Sequence, residues 1–174
     1  IVCDDGSSDL TGEIARELGA VVISHPKNMG YGAAIRSLFL KAKELDLDGL
    51  ITMDADLSHE PKEIIKILDH LKNTPFVIGS RYILGGKCHM KGWRLFLSIW
   101  GNKLIKKILS INSNEFTTSF RGFDLKKLHN FNLDLVKSRG YSFFMETIYH
   151  INNKGFIIKQ IPIYFKDRKE GKSK

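Results

Sequence analysis

The 174-residue sequence predicts an α/β protein with a mostly parallel sheet and helices on both faces of that sheet. Three observations support this class. Short apolar runs alternate with helix-period segments about every ten to fifteen residues across residues 1–80. Polar clusters follow three of these runs, and the composition, with 43% hydrophobic and 26% charged residues, is that of an ordinary globular protein. We expect one domain, 1–174, built from a regular half, 1–80, and a less regular half, 81–174.

The regular half contains four predicted strands and three predicted helices. The strand predictions rest on short apolar runs at residues 1–4, 20–24, 50–53 and 76–79. The helix predictions rest on apolar residues with a 3.6-residue period at residues 10–18, 33–45 and 61–71. Pro61 would lie in the first turn of the third helix, where its missing N–H costs nothing.

The second half begins after Arg81 and has a different pattern. Residues 93–111 predict a helix with an apolar stripe and a basic opposite side. Residues 117–123 predict either a strand or an active-site turn. The remaining predictions are helices at 125–128 and 143–151 and strand segments within 155–165.

Charge is distributed unevenly along the chain, whose net charge is +8. Residues 1–60 carry eleven acidic and five basic residues, whereas residues 61–174 carry eight acidic and twenty-two basic residues. The segment 81–114 contains seven Lys or Arg and no acidic residue. Such a block indicates an anionic partner, which could be nucleic acid, phospholipid headgroups or a phosphorylated substrate. The alternative is a solvated basic face.

Two further features limit the class of protein. No apolar run approaches the roughly 20 residues that span a bilayer. The two cysteines, Cys3 and Cys88, lack metal-ligand spacing, and a reduced cytosolic setting fits them better than a disulfide.

Two carboxylates, Asp54 and Asp56, follow the apolar run 50–53, where a strand is expected to end. Ligands of parallel sheets bind outside the carboxyl ends of the strands. Mg²⁺ and Mn²⁺ prefer oxygen ligands and often share them with substrate phosphates. The pattern favours a metal that binds a diphosphate, and the alternative is a turn capped by Ser58 or His59.

Two other polar clusters occupy equivalent positions. Asp4 and Asp5 follow the first apolar run, and Ser80 and Arg81 follow the fourth. We expect all three clusters to converge at one edge of one sheet. A carboxylate of the first cluster could accept hydrogen bonds from a nucleobase or a ribose hydroxyl, and its alternative role is a helix cap.

These features resemble the nucleotide-sugar-binding half of glycosyltransferase family 2, which has the Rossmann-like GT-A fold. Other segments resemble more specifically the group of dolichol-phosphate mannose synthases and polyprenyl-phosphate glycosyltransferases. The segments that carry this likeness are Asp54-Ala55-Asp56-Leu57-Ser58-His59, Thr117-Thr118-Ser119-Phe120-Arg121, Gly140-Tyr141 with Phe143 and Glu146, and Pro162-Ile163 leading to Arg168, Gly171, Ser173 and Lys174. The resemblance covers essentially the whole chain.

The resemblance implies a metal-dependent inverting glycosyltransferase. It would move mannose or glucose from GDP-mannose or a UDP-sugar to a polyprenyl or dolichyl phosphate, using Mg²⁺ or Mn²⁺. Residues 1–80 would bind the nucleotide-sugar and residues 81–174 the acceptor. The implied partners include the cytoplasmic face of a membrane and exclude nucleic acid. A first strand and helix of the family are expected to precede Ile1.

The resemblance also assigns roles to residues. Nucleotide-sugar binding falls to Cys3, Asp5, Asp54, Ala55, Arg168 and Lys174. Metal binding falls to Asp56 and Ser58. Acceptor-phosphate binding falls to Arg81, Arg94 and Arg121, and catalysis to Asp56, Arg81 and Arg94.

Two positions depart from the family pattern. Ser58 stands where many members have a metal-binding glutamine, and Glu115 stands where the family often has aspartate. A serine hydroxyl is a shorter and weaker ligand than a glutamine side chain, so a water molecule could take that place.

The chemistry of the acceptor fits the basic residues. A lipid phosphate is already an anion near neutral pH, so its attack needs no general base. The guanidinium groups of Arg81 and Arg94 match phosphate oxygens in a bidentate fork. We therefore expect direct in-line displacement with inversion at the sugar carbon and no covalent enzyme intermediate.

The predicted helix 93–111 has two interpretations. Its aromatic residues and lysines beside an apolar stripe are typical of a helix that lies in a membrane interface. Alternatively, it packs into the core and exposes a solvated basic side.

Three other functions remain open at the level of sequence. A family member that glycosylates a hydroxyl group would need a general base, for which Glu115 and Asp124 are the candidates. A nucleic-acid-binding α/β domain would explain the basic half but not the acidic clusters, which repel phosphates without a metal. The third alternative is an inactive scaffold.

Overall fold

The computed structural model of the protein describes residues 1–138 and 140–166. Its elements, in chain order, are β1 (Val2–Asp4), α1 (Thr11–Glu17), β2 (Val22–Ser24), α2 (Tyr31–Glu44), β3 (Gly49–Thr52), α3 (Ile64–Leu71), β4 (Phe76–Ser80), β5 (Lys87–Cys88), α4 (Gly92–Leu109), β6 (Arg121–Asp124), α5 (Ser142–Asn153), β7 (Ile158–Pro162) and β8 (Tyr164–Phe165). Short 3₁₀ turns occur at Pro61–Glu63 and Leu133–Leu135. The predicted α/β class is confirmed.

The central sheet has the strand order β3-β6-β4-β7 and is mixed. β4 and β7 are parallel, whereas β6 is antiparallel to both β3 and β4. β3 and β4 therefore point in the same direction, and the residues that follow them, Asp54 and Arg81, emerge at the same edge. Within the described ranges, β1 and β2 form a separate parallel pair, as do β5 and β8.

This topology corrects one prediction. Asp4 and Asp5 lie at the end of β1, outside the four-stranded sheet, so the three polar clusters do not share one sheet. The pairing of strands depends on long-range contacts that the apolar pattern of each strand does not specify.

Helices cover both faces of the central sheet, as expected. Side chains of β4 alternate between the faces. Phe76 and Ile78 pack in a cluster with residues of α2 and α5, and Val77 packs in a second cluster with Ile67 and Leu71 of α3. At Gly122 of β6, an added Cβ would lie 2.3 Å from Ile67, so α3 approaches the sheet too closely for any side chain there.

Two helix predictions have different outcomes. The predicted helix 93–111 is α4, which ends where Ser110 takes a left-handed conformation with φ of 53°. The predicted helix at 125–128 is wrong, because these residues form turns. The Asp124 carboxylate accepts a hydrogen bond from the Lys127 N–H at 2.7 Å, which competes with the backbone hydrogen bonds of a helix. A segment of four residues is also too short to form a stable helix on its own.

Candidate active site

A cavity of about 570 Å³ lies where β3 and β4 end. It combines two carboxylates with three cationic side chains. Its lining residues are Asp54, Asp56, Ser58, His59, Arg81, Met90, Lys91, Arg94, Thr117, Thr118, Ser119, Tyr141 and Phe165. The structure therefore brings Asp54, Asp56, Ser58, Arg81 and Arg94 together, as the sequence predicts. Thr117, from the predicted strand or active-site turn 117–123, also lines the cavity, as do Lys91 and Tyr141, to which the sequence assigned no role in the site.

The loop after β3 orients Asp56 through a strained turn. Leu57 has a φ of 63°, in the left-handed region that is costly for a branched side chain. This conformation turns Ser58 back, so that its backbone N–H and its hydroxyl both donate to Asp56 Oδ1, at 3.1 and 2.5 Å. The Ser58 hydroxyl thus donates a hydrogen bond to the carboxylate of Asp56 in this structure. The role of Ser58 as a metal ligand stays a prediction.

His59 packs against the same loop with its buried side chain. It is 2% exposed, its ring stacks on Phe120 with centroids 5.0 Å apart, and its Nδ1 accepts a hydrogen bond from the Asp54 N–H at 3.4 Å. Desolvation lowers the pKa of His59, although the charges of Asp54 and Asp56 oppose that shift. The ring acts as a packed spacer that fixes the start of the acidic loop.

The donor set fits a divalent metal that arrives with substrate oxygens. Among the described residues, no three His, Cys, Asp or Glu side chains converge into a preformed metal site. Asp54 and Asp56 offer hard oxygen atoms to the cavity, which suits Mg²⁺ or Mn²⁺ when a diphosphate completes the coordination.

Arg81 forms an ion pair that the sequence did not predict. Its Nε and Nη2 donate to the two carboxylate oxygens of Glu115, each at 2.9 Å, and Nη2 also donates to Thr117 Oγ1 at 2.9 Å. The side chains of Arg81 and Glu115 are 7% and 0% exposed. Burial alone would lower the pKa of Arg81, but the charge and hydrogen bonds of Glu115 raise it, so Arg81 stays charged.

Arg121 does not meet an acceptor phosphate, which corrects its predicted role. It is 2% exposed, and its guanidinium donates to the backbone carbonyl groups of Thr118, Phe144 and Phe116 at 2.9, 2.8 and 3.1 Å. Burial lowers the pKa of Arg121 to about 10. Arg121 instead holds the segment after α4 against α5.

Asp5 organises a loop rather than facing the cavity. Its carboxylate accepts hydrogen bonds from the backbone N–H groups of Met29 and Gly30, both at 2.9 Å, and lies 2.6 Å from His25 Nδ1. Cys3 Sγ lies 3.8 Å from Nε2 of the same histidine. These contacts fix the loop that leads into α2, whose first residue, Tyr31, is half-buried near the charge of Asp54. Direct nucleoside contacts of Cys3 and Asp5 stay predictions.

Four other residues were predicted to belong to the site. Ala55 is exposed between the two carboxylates. Arg94 is exposed in the first turn of α4, with its guanidinium 5.9 Å from the Trp93 ring centroid. Arg168 and Lys174 lie outside the described residues.

α4 carries a continuous exposed apolar face beside the cavity. The α4 apolar face consists of Trp93, Phe96, Leu97, Trp100, Leu104 and Ile108, which are between 55% and 69% exposed. Ile105 and Leu109, on the other side of the helix, pack against the core. The apolar stripe predicted from the sequence is therefore not the core-facing side. In the part of the chain that the structure describes, no helix has the length and apolar character needed to cross a membrane.

Curated relatives match the whole chain. It is 34% identical to polyprenol monophosphomannose synthase of Mycolicibacterium smegmatis, over 100% of this chain and 69% of that protein. It is 32% identical to undecaprenyl-phosphate mannosyltransferase of Micrococcus luteus, over 100% of this chain and 74% of that protein.

Solved structures confirm the GT-A type of fold. Glucosyl-3-phosphoglycerate synthase of Mycobacterium tuberculosis, in complex with Mn²⁺ and UDP-glucose, superposes with a TM-score of 0.67 at 18% identity. The match covers 99% of this chain and 60% of that one, so the chain spans about three fifths of the solved structure. The same enzyme in complex with phosphoglyceric acid gives a TM-score of 0.67.

A family model, "Glycosyl transferase family 2", matches residues 1–131, which is most of the chain. The match includes both carboxylates of the cavity, its arginines and α4. Together with the two mannosyltransferase relatives, it confirms the resemblance seen in the sequence. This chain belongs to glycosyl transferase family 2.

Proposed function

We propose that this chain transfers mannose from a nucleotide-sugar to the phosphate of a polyprenyl lipid at a membrane surface. The observation that carries the proposal is a cavity whose lining combines two carboxylates, Asp54 and Asp56, with the cationic side chains of Arg81, Lys91 and Arg94. The two curated relatives are named for mannose transfer to polyprenyl phosphates, which supports the same sugar and acceptor class here.

The two carboxylates suit the donor. A divalent metal, Mg²⁺ or Mn²⁺, would offset the charge that develops on the leaving diphosphate. Asp56, oriented by Ser58, and Asp54 are the side chains that would hold the metal. The donor nucleotide is GDP or UDP in this proposal, and Arg168 and Lys174 would contact its phosphates.

The cationic side chains suit an anionic acceptor. Lys91 and Arg94 are exposed at the start of α4, and Arg81 lies deeper, paired with Glu115. These groups would place a phosphate oxygen of the lipid opposite the leaving diphosphate. That oxygen forms the new bond to the anomeric carbon, while the bond to the diphosphate oxygen breaks and its electron pair leaves with the diphosphate. The configuration inverts, and no proton has to move to or from the protein.

A membrane surface is the proposed location of the reaction. Aromatic and basic residues are suited to the interface between headgroups and acyl chains, and α4 carries both. Lys103, Lys106 and Lys107 flank the α4 apolar face. The acceptor lipid would thus reach the cavity from the cytoplasmic leaflet to which α4 binds.

The decisive experiment compares a polyprenyl phosphate with the matching free polyprenol. GDP-mannose, UDP-glucose and UDP-N-acetylglucosamine are each supplied with and without Mn²⁺, and products are identified by mass spectrometry. We expect mannosyl transfer to the phosphate alone, which disappears without metal and in Asp56→Asn. Transfer to the free polyprenol, or metal-independent transfer, would contradict the proposal.

A further inference from the structure

Glu63 is a buried acidic residue that does not line the cavity of the active site. It is 4% exposed, and burial of a carboxylate is unfavourable unless hydrogen bonds replace those lost to water. We propose that Glu63 is a positioning residue for the transfer reaction: it holds β8 against the acidic loop, residues 54–60, and thereby keeps the ring of Phe165 on Arg81. This proposal rests on the proposed function, because it concerns the alignment of the same donor and acceptor groups.

The carboxylate of Glu63 does not have the ordinary role of an acidic residue before a helix. Glu63 is the N-cap residue of α3, but its side chain makes no capping hydrogen bond. The carboxylate instead accepts from the backbone N–H of Tyr164, with Oε2 at 3.1 Å and Oε1 at 3.3 Å. Glu63 and Tyr164 are 101 positions apart, so this contact joins α3 to a distant strand.

β8 has different neighbours along its two edges. On one edge it pairs with β5. On the other edge lies the chain from residue 58 to residue 63, which approaches β8 through an isolated antiparallel bridge between His59 and Phe165. There the Ser58 carbonyl accepts from the Lys166 N–H at 3.0 Å, and the Glu63 carboxylate accepts from the Tyr164 N–H. The Glu63 side chain thus supplies the acceptor that a neighbouring strand would otherwise provide.

Phe165 carries this contact into the active site. Its backbone lies between the two bonded N–H groups of Tyr164 and Lys166, and its ring lines the cavity together with Arg81. The centroid of the ring is 4.7 Å from Arg81 Cζ and 5.4 Å from the centroid of the His59 ring. A ring against a guanidinium is an attractive contact, so a displacement of β8 would remove one of the contacts that orient Arg81.

The same displacement would reach the acidic loop. The Lys166 side chain forms an ion pair with Glu60, and the Lys166 N–H holds the carbonyl of Ser58, the residue that orients Asp56. One change at Glu63 should therefore affect both the metal-binding carboxylate and the arginine proposed for the acceptor phosphate.

The test compares the length of the residue 63 side chain with its charge. Glu63→Asp keeps the charge and is a favoured N-cap residue, but it is one methylene too short for the Tyr164 N–H. Glu63→Gln loses the charge and keeps an oxygen at the right distance. With GDP-mannose, Mn²⁺ and a polyprenyl phosphate as substrates, Glu63→Asp should raise two constants at least about fivefold: the KM for the polyprenyl phosphate and the Mn²⁺ concentration for half-maximal activity. Glu63→Gln should change each by less than about twofold.

These constants separate positioning from stability. A smaller folded fraction lowers the apparent kcat but leaves both constants unchanged. If Glu63→Asp leaves either constant within about twofold, or if Glu63→Gln raises them as much as Glu63→Asp does, the proposal is wrong.

Lys66→Ala is the matched control. It removes the exposed partner that lies 3.2 Å from Glu63 Oε1 and leaves the contact with Tyr164 in place, so both constants should stay those of the unmodified chain. An effect of Lys66→Ala equal to that of Glu63→Asp would assign the change to the ion pair and overturn the proposal.

Amide hydrogen exchange distinguishes failure of this proposal from failure of the proposed function. The Tyr164 amide, followed by NMR, should exchange faster in Glu63→Asp than in Glu63→Gln, whatever the reaction of the chain is. Equal exchange rates would show that Glu63 does not hold β8. If the unmodified chain transfers mannose to no polyprenyl phosphate while the exchange rates differ, the proposed function fails and with it the role of Glu63 in that reaction, although its hold on β8 stands.

Discussion

Glu115 holds Arg81 through two parallel hydrogen bonds of 2.9 Å, with the carboxylate fully buried. Arg81, one of the three arginines that the resemblance assigned to the acceptor phosphate, is thus already paired with an internal anion. Glu115 fixes the direction of the guanidinium, and Lys91 and Arg94 are the other two basic side chains in the lining of the cavity. The acceptor phosphate would meet Arg81 as an oriented donor rather than as an unpaired charge.

Removal of Glu115 should destabilise the fold. Glu115→Ala leaves a buried guanidinium without its counter-ion, and breaking a buried pair in this way costs about 3–5 kcal/mol. We expect a matching loss in the free energy of unfolding, measured by urea denaturation. Asp69→Ala removes an exposed ion pair with Lys72 and should change the free energy of unfolding little. Equal effects of the two variants would contradict the structural role of Glu115.

Stability at acid pH should depend on Asp5. Desolvation raises the pKa of Asp5, but hydrogen bonds from His25, Met29 and Gly30 lower it by more. The pKa of Asp5 is therefore lowered overall. The ionised Asp5 carboxylate therefore stabilises the folded state at pH values above its unfolded pKa of about 3.9. This stabilisation is lost as the pH falls through the lower pKa of the folded state. Asp5→Asn should be less stable than the unmodified chain at pH 6, and the difference should shrink below about pH 4. Parallel stability curves, measured by urea denaturation at each pH, would exclude this linkage.

Local sequence patterns were sufficient to predict the acidic loop and its neighbouring strands. Asp54, Asp56 and Arg81 follow short apolar runs, and these runs form β3 and β4, which point in the same direction within one sheet. The apolar stripe of α4 was likewise visible in its 3.6-residue period.

The partners of the arginines could not be predicted in this way. Arg81 and Glu115 are thirty-four residues apart, and no periodicity connects them. Arg121 has the residue type of a phosphate ligand, yet its guanidinium is buried and donates to three backbone carbonyl groups in the interior. Burial decides between these roles, and burial depends on how β6, α4 and α5 pack together.

Metal affinity should depend on the hydroxyl of Ser58. In Ser58→Ala, Asp56 Oδ1 keeps the backbone N–H of residue 58 but loses the hydroxyl donor at 2.5 Å. The hydrogen bond contributes about 1 kcal/mol, so the Mn²⁺ concentration for half-maximal activity should rise about fivefold. Ser24→Ala, at an exposed serine that does not line the cavity, is the control. A Mn²⁺ requirement identical to that of the unmodified chain would show that Ser58 does not orient Asp56.

Binding to anionic membranes should depend on the α4 apolar face rather than on exposed apolar residues in general. Trp93 and Phe96 are 69% and 58% exposed beside a basic segment, whereas Ile65 and Leu68 on α3 are 67% and 48% exposed without one. The unmodified chain should float with phosphatidylglycerol vesicles more than with phosphatidylcholine vesicles, because anionic headgroups attract each nearby basic residue by about 1 kcal/mol. The double change Trp93→Ser with Phe96→Ser should abolish flotation, and Ile65→Ser with Leu68→Ser should leave it intact. If both pairs reduce flotation equally, α4 has no special role at the membrane, because general surface hydrophobicity would then account for binding.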